Sequence, residues 1–260
     1  MSEIRINKLK NTSLTFIFVN FIKSVRTESS NSNQLKEFYN KFCKTCGYDM
    51  GMQHDAFDAL YSLLNQITEE LCIEINMEHY KYYYRNYPEI DVKLVISNFK
   101  SNDFVISHFY MFTVLNTITG ICGHKSYLTE FQGFINNYEY DIKITDSINN
   151  FFKETILEKW SCEECKRYQV AKQRKQIITL PKYIFVKSNK KKVNISKKIE
   201  MKNKIYEIKN VIIQEGSSTS GHYYILNNVN DYWIEINDDI VRPYSGNFVN
   251  SYFVIYKKID

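Results

Sequence analysis

The stretch SGHYYILNNVNDYWIEINDD, residues 220–239, holds the residues best suited to chemistry in this chain. A glycine precedes His222, and two alternating apolar runs flank a polar turn around Asn228 and Asn230. Asn237, Asp238 and Asp239 close the second run. The pattern predicts a β-hairpin whose antiparallel pairing brings the histidine and the Asn/Asp cluster together. A histidine oriented by an amide or carboxylate is the general-base half of a nucleophilic site. The other half, a cysteine or serine, must come from elsewhere. An ordinary polar residue at a strand end has the same local pattern, so the hairpin alone does not define a site.

A second chemistry is available to the cysteines. Cys43/Cys46 and Cys162/Cys165 have CxxC spacing, which suits two ligands of a tetrahedral zinc. Cys122 and His124 are separated by Gly123, which permits the tight turn needed for a thiolate and an imidazole to share an ion. Six candidate ligands exceed the four that a tetrahedral site needs. Spacing does not decide between the two CxxC pairs together and Cys122/His124 joined to Cys162/Cys165. Free buried cysteines are the alternative for each pair.

The elements that must position these residues follow from composition and periodicity. At 260 residues and 44% hydrophobic content, the chain can bury a full core. Twenty-one tyrosines against three prolines and eight glycines favour an ordered, partly β protein. Arg5, Lys8 and Lys10 precede SLTFIFVNFI, but the apolar run is short and no small-residue cleavage pattern follows. A buried helix after an Asn11-Thr12-Ser13 cap is expected, with a strand as the alternative. No stretch is long enough to span a membrane. The cysteine pattern suggests a reduced, intracellular compartment, cytoplasmic or nuclear.

Residues 35–42 read as a short helix followed by a turn at Cys43–Gly47. Phe57, Leu60, Leu64, Ile67 and Leu71 space an amphipathic helix over residues 55–72. VKLVISNF, FYMFTVLNTITGI and SYLTEFQGF read as strands, SINNFFKETI as a helix, and QVAKQRKQIITL and KYIFVKS as strands again. The Lys-rich KKKVNISKKIEMKNK reads as a solvated edge hairpin. The net charge is +5 and much of the excess lies in residues 187–204. Aromatic residues are not interleaved there, which argues against nucleic-acid binding.

Three blocks, in order, resemble the ubiquitin-specific proteases, papain-like cysteine deubiquitinases. GSSTSGHYYILNNVNDYWIEINDDIV resembles the family's histidine box, which would make His222 the catalytic histidine and Asn237 its orienter, with Asp238 beside it. MQHDAFDALYSLL resembles the QQDAHEFL motif, with Gln53, Asp55, Ala56, Asp58 and Leu60 in register. In the family these acids hold the arginine-containing tail of ubiquitin, a role that suits carboxylates. Helix capping by Asp55 and a first-turn acid at Asp58 would coexist with it. KLKNTSLTFIFVN occupies the place of the N-terminal cysteine box: Leu9, Asn11 and Thr12 match, but Ser13 stands at the nucleophile position. Lys8 stands where the family has an oxyanion-hole asparagine, and a cation there can serve the same charge.

The resemblance implies an α+β papain-like fold of one catalytic domain, residues 1–260. About 1–90 would be the thumb, 91–175 mostly zinc-bearing fingers and 176–260 mostly palm. It implies structural zinc on Cys122, His124, Cys162 and Cys165. The first of these knuckles resembles the family's C-G-x-x-S, and the second precedes QIITLP. Gly221 and Tyr223 would line the path of the ubiquitin tail. The expected partner is ubiquitin, ubiquitinated protein or a ubiquitin-like modifier, the expected state monomeric, without membrane or nucleic acid. A serine hydroxyl ionises far less readily than a thiol. Ser13 therefore makes this an inactivated Cys-to-Ser form of a thiol hydrolase or, alternatively, a pseudoenzyme that binds without cleaving.

Overall fold

A computed structural model describes residues 9–27, 32–71, 107–137, 144–188, 195–217, 221–248 and 251–259. They belong to two compact units. One is drawn from Met1–Ile75 with Lys100–Ile106, the other from Asn76–Phe99 with Ser107–Asp260. The expected strand VKLVISNF and the aromatic stretch 80–87 lie outside the described residues.

The first unit contains helices α1 (Leu14–Arg26), α2 (Ser32–Cys46) and α3 (Ala56–Glu70). Ser13 and Asp55 cap α1 and α3: the Ser13 hydroxyl accepts from the Phe16 N–H at 3.2 Å, and Asp55 Oδ1 from the Asp58 N–H at 2.9 Å. Such caps are worth about 1 kcal/mol each and fix where each helix starts. The cap decides α1 against the strand alternative. Its burial is partial, with Leu14, Thr15 and Ser24 buried and most of its large apolar residues half-buried. Phe38 packs on Phe18 and Phe21, with ring centroids 5.2 and 5.5 Å away, joining α2 to α1. Tyr48 stacks on Phe42, and its hydroxyl bonds to that of Ser62 on α3 at 3.0 Å. The turn expected at Cys43–Cys46 is instead the last turn of α2. Cys43 is buried there, and the turn falls at Gly47, whose φ of 75° suits a glycine beyond a helix end.

The second unit has two sheets. The four-stranded one runs β2-β1-β5-β4, all antiparallel, from β1 (Phe112–Gly120), β2 (Lys125–Gln132), β4 (Thr155–Cys162) and β5 (Arg167–Thr179). The larger sheet is ordered β11-β10-β9-β8-β12-β6-β3, with β7 (Lys198–Met201) also on β8 (Lys204–Gly216). Its other strands are β3 (Ile135–Asn137), β6 (Tyr183–Ser188), β9 (Gly221–Val229), β10 (Tyr232–Asn237), β11 (Ile240–Pro243) and β12 (Ser251–Lys258). Helices α4 (Ser107–Tyr110) and α5 (Ile144–Phe151) complete the unit. SINNFFKETI is thus helical only to Phe151. Bonds from the Phe152 and Lys153 N–H groups to the Asn149 and Asn150 carbonyls tighten the helix end, and Thr155 then opens β4.

The main core is aliphatic and aromatic: Phe112, Ile135, Ile144, Ile184, Val211, Leu226 and Val254 are essentially inaccessible. Each such aliphatic side chain contributes roughly 1.5–3 kcal/mol by leaving water. Tyr206 and Tyr256 are buried with them, their hydroxyls donating to the Pro181 and Ser196 carbonyls, and burial pushes both phenols well above the usual range. The Lys-rich hairpin is solvated on one face only. Ile199 and Met201 on β7 belong to the main core, and Lys202 and Asn203 make the turn with positive φ. Among the described residues no helix is long and apolar enough to cross a membrane.

Candidate functional site

The hairpin expected at 220–239 is β9–β10. Its turn is Asn230-Asp231, both with positive φ, and the Asn228 side chain accepts from the Asp231 N–H at 3.0 Å. Left-handed residues at both central positions match the right-handed twist of the flanking strands. The register pairs Leu226 with Glu235, and Leu226 is fully buried. Side chains alternate, so Leu226, Tyr224 and His222 share one face, as do Glu235 and Asn237 on the next strand. This anchors the middle of the hairpin in the core and leaves its far end, with His222, at the surface.

There His222 Nε2 lies 2.6 Å from Asn237 Oδ1. The amide oxygen only accepts, so Nε2 carries the proton and Nδ1 keeps a lone pair. Asp238 Oδ2 is 3.8 Å from Nε2 on a side chain that is 78% exposed, too far and too wet to compete. Among the described residues, the Asn237 amide is therefore the group that holds the His222 ring. Gly221 is favoured for a steric reason: a Cβ there would lie 3.1 and 3.2 Å from the Glu215 and Ser217 carbonyl oxygens and 2.9 Å from Gln214 Nε2. Tyr223 packs on Tyr252 with ring centroids 5.4 Å apart.

At the tip of the four-stranded sheet, Cys122, His124, Cys162 and Cys165 offer ligand atoms all within 4.8 Å of one another. Cys122 Sγ and Cys162 Sγ are 3.8 Å apart, and His124 Nδ1 is 3.3–3.6 Å from the three sulfurs. Four donors around a tetrahedral ion, with sulfur at about 2.3 Å and nitrogen at about 2.0–2.1 Å, would show separations of this size. The residues fit a metal ion. Two turns make the cluster: Gly123 at φ 82° between Cys122 and His124, and Lys166 at φ 53° after Cys165. The His124 N–H and then the Gln169 amide hold the Cys122 thiol down to about 6. The Cys165 N–H lowers Cys162, and bonding to Cys122 pushes Cys165 up to about 11. Bonds to Cys162 and Cys122 raise His124. The four ligand atoms converge on one point that a cation would fill. Cys43 and Cys46 take no part. They lie on α2, and burial pushes the Cys46 thiol up, away from ligand or nucleophile behaviour.

In the helical unit, Ser13 starts α1 and its hydroxyl is engaged by the Phe16 N–H. The Leu14 and Thr15 N–H groups donate to Glu70 Oε1 and Oε2 at 3.0 and 2.7 Å. Glu70 thus satisfies the donors Ser13 does not reach, and sequence reasoning missed it. The available signal was its position: an acid in the last turn of α3 opposes that helix's own dipole, so its charge is best used elsewhere. Asp55 is half-buried at the α3 cap, while Gln53 and Asp58 are exposed. Lys8 lies outside the described residues.

The ubiquitin carboxyl-terminal hydrolase family profile matches residues 5–256. The chain belongs to that family, and its mixed helix-and-sheet structure has the papain-like deubiquitinase fold. Its structure is similar to the SAGA DUB module of Ubp8, Sgf11, Sus1 and Sgf73 bound to monoubiquitin, with TM-score 0.73 and 15% identity. It also resembles the same module bound to ubiquitin aldehyde, with TM-score 0.71 and 17% identity. A structure of the yeast module gives the same TM-score and identity. In each case all of this chain is covered, and the chain spans 62–63% of its counterpart. No curated protein matches it by sequence.

Proposed function

We propose that this chain is the catalytic fold of a deubiquitinase that cleaves after the C-terminal glycine of ubiquitin, in a form whose nucleophile position holds serine. The observation that carries the reading is the His222–Asn237 pair at 2.6 Å, with Nε2 as donor and Nδ1 as base. With cysteine at residue 13, its thiolate attacks the glycine carbonyl carbon and His222 takes the thiol proton. His222 then returns a proton to the leaving amine as the thioester forms, and water attacks the thioester to release ubiquitin and the thiol. A cysteine at the start of α1 gains thiolate character from the helix N-terminus. The Ser13 hydroxyl lacks that acidity, so this form is nearly inert.

In this reading Gln53, Asp55, Asp58, Gly221 and Tyr223 hold the ubiquitin tail, and Lys8 supports the oxyanion. The helical unit acts as thumb, the four-stranded sheet as fingers and the larger sheet as palm. Cys122, His124, Cys162 and Cys165 would hold zinc, whose chemistry is structural cross-linking of two turns. The working state is a monomer in a reduced compartment, cytoplasm or nucleus, acting on ubiquitin or a ubiquitin-like protein.

The test is Ser13→Cys treated with ubiquitin carrying a C-terminal electrophile. Labelling that disappears on adding His222→Ala supports the proposal. Saturable ubiquitin binding without labelling supports a binding pseudoenzyme instead. One observation favours that second reading: the Ser13 hydroxyl already serves as the α1 cap, a role a neutral thiol performs poorly. Absence of both labelling and binding rejects both readings.

A further inference from the structure

Glu235 is the one carboxylate among the described residues that is almost fully buried, at 4% exposure, and the chemistry above does not use it. It sits on β10, two residues before Asn237 and directly across from Arg242 on β11. Arg242 grips it as a fork: Nη2 lies 2.9 and 3.1 Å from its two oxygens, and Nε lies 3.2 Å from Oε2. A buried carboxylate is costly without such a partner. Glu235 Oε1 also accepts from Asn237 Nδ2 at 3.5 Å.

We propose that Glu235, held by Arg242, is a positioning residue that fixes which end of the Asn237 amide faces His222. The logic is one of donors and acceptors. An ionised carboxylate only accepts, so the amide end turned toward Glu235 must be the NH2 group. The oxygen is thereby turned toward His222, where it demands a proton on Nε2 and leaves Nδ1 basic. Without Glu235 the amide can rotate, present its NH2 group to the ring and select the opposite tautomer. Outer partners that orient an imidazole act in this way at metal sites. The same geometry explains why an amide stands at residue 237: an aspartate there would place two carboxylates against each other.

The proposal deepens the deubiquitinase reading, but its first test is independent of turnover. Long-range proton–nitrogen NMR on the 15N-labelled Ser13 protein reads the His222 tautomer, assigned with His222→Gln. The Nε2–H form should dominate. In Glu235→Leu/Arg242→Met, which removes the pair together, the Nδ1–H form should become substantial. In a Ser13→Cys background, electrophile labelling by that variant should slow about tenfold. An unchanged tautomer at unchanged melting temperature overturns the proposal, whatever the labelling result. Failure of the Ser13→Cys parent to label while the tautomer shifts as expected leaves this inference standing and rejects the protease reading.

A second pair of variants covers a failure of the double variant to fold. Glu235→Gln, whose NH2 group can donate to Asn237 Oδ1, should turn the amide and make the Nδ1–H form substantial, and adding Asn237→Asp, whose carboxylate only accepts, should restore the Nε2–H form. Glu235→Gln behaving like the parent, or no recovery on adding Asn237→Asp, counts against the proposal.

Discussion

His124 and His222 are both exposed histidines held by neighbouring side chains, yet they are built for opposite ends. Nδ1 of His124 faces three sulfurs at 3.3–3.6 Å, and every donor converges on one point. His222 is held through Nε2 alone, by one amide oxygen, and among the described residues nothing bonds its Nδ1. A complete ligand set is suited to holding an ion and cross-linking the chain. An imidazole fixed on one side and open on the other is suited to moving a proton. Residue type did not separate the two. The number of groups committed to each ring did.

The strongest test of this contrast is to break the candidate metal site. The β1–β2 and β4–β5 turns have no buried core of their own, with Ile121 76% exposed and Tyr168 67% exposed. Cys162→Ser should therefore lower stability by more than ~3 kcal/mol, about 10 °C in melting temperature, and abolish bound zinc measured by elemental analysis. Chelation of the parent should reproduce the shift. A variant that melts with the parent and still carries one zinc per chain would break the closed-versus-open distinction.

The converse test is His222→Ala. Its loss should leave the melting temperature within about 2 °C, because the side chain is half-exposed. In the Ser13→Cys background the same change should slow electrophile labelling about 10³-fold, the scale of a lost general base. A large stability loss would show that His222, like His124, is a structural group.

Much of this contrast was legible in the sequence, and the parts that were not share a cause. Gly-His-Tyr, the Asn-rich turn and Asn237 lie on one hairpin, so strand alternation alone predicts their meeting. Cys122-Gly-His124 and Cys162-x-x-Cys165 were also local signals; spacing left their pairing open, the family resemblance implied it, and the strand order, with β1 beside β5, supplies its physical reason. The misses were contacts across distance or across a face. Glu70 caps a helix that begins 56 residues earlier, and no periodicity encodes that. Glu235 drew no reading of its own within the alternating run that precedes Asn237. It lies opposite fully buried Leu226 on the inward face, with Arg242 of β11 as its ion partner, and pairing between strands is not encoded in the spacing within either one. The Cys43–Cys46 turn was misread because a CxxC pattern suggests a knuckle, while the helical apolar spacing of Phe38, Phe42 and Cys43 ran straight through it.

A smaller effect should come from Gly221→Ala, which asks how firmly the open histidine is backed. The new methyl would meet backbone oxygens of Glu215 and Ser217, which cannot swing aside as a side-chain end can. A cost of ~1–3 kcal/mol is expected from such overpacking, read by denaturant melts. The His222 ring should shift with it, so labelling in the Ser13→Cys background should fall more than stability does. A neutral substitution would mean that β8 and β9 separate freely here, leaving only Asn237 to hold the ring.

The smallest effect belongs to Asp238→Asn. Asp238 carries the only full negative charge within ion-pair reach of His222 among the described residues, at 3.8 Å, and charge alone would make it the orienter. Geometry argues otherwise. Its side chain is 78% exposed, so water screens the attraction, and its positive φ of 50° serves the β10–β11 turn. Asn tolerates that backbone as well as Asp does. The substitution should therefore alter stability by less than ~0.5 kcal/mol and slow labelling by less than about threefold. Asn237→Ala should cost far more, because the nearer amide oxygen sets the tautomer. Should Asp238→Asn prove the more damaging of the two, the open site would be organised by charge rather than by a directed hydrogen bond.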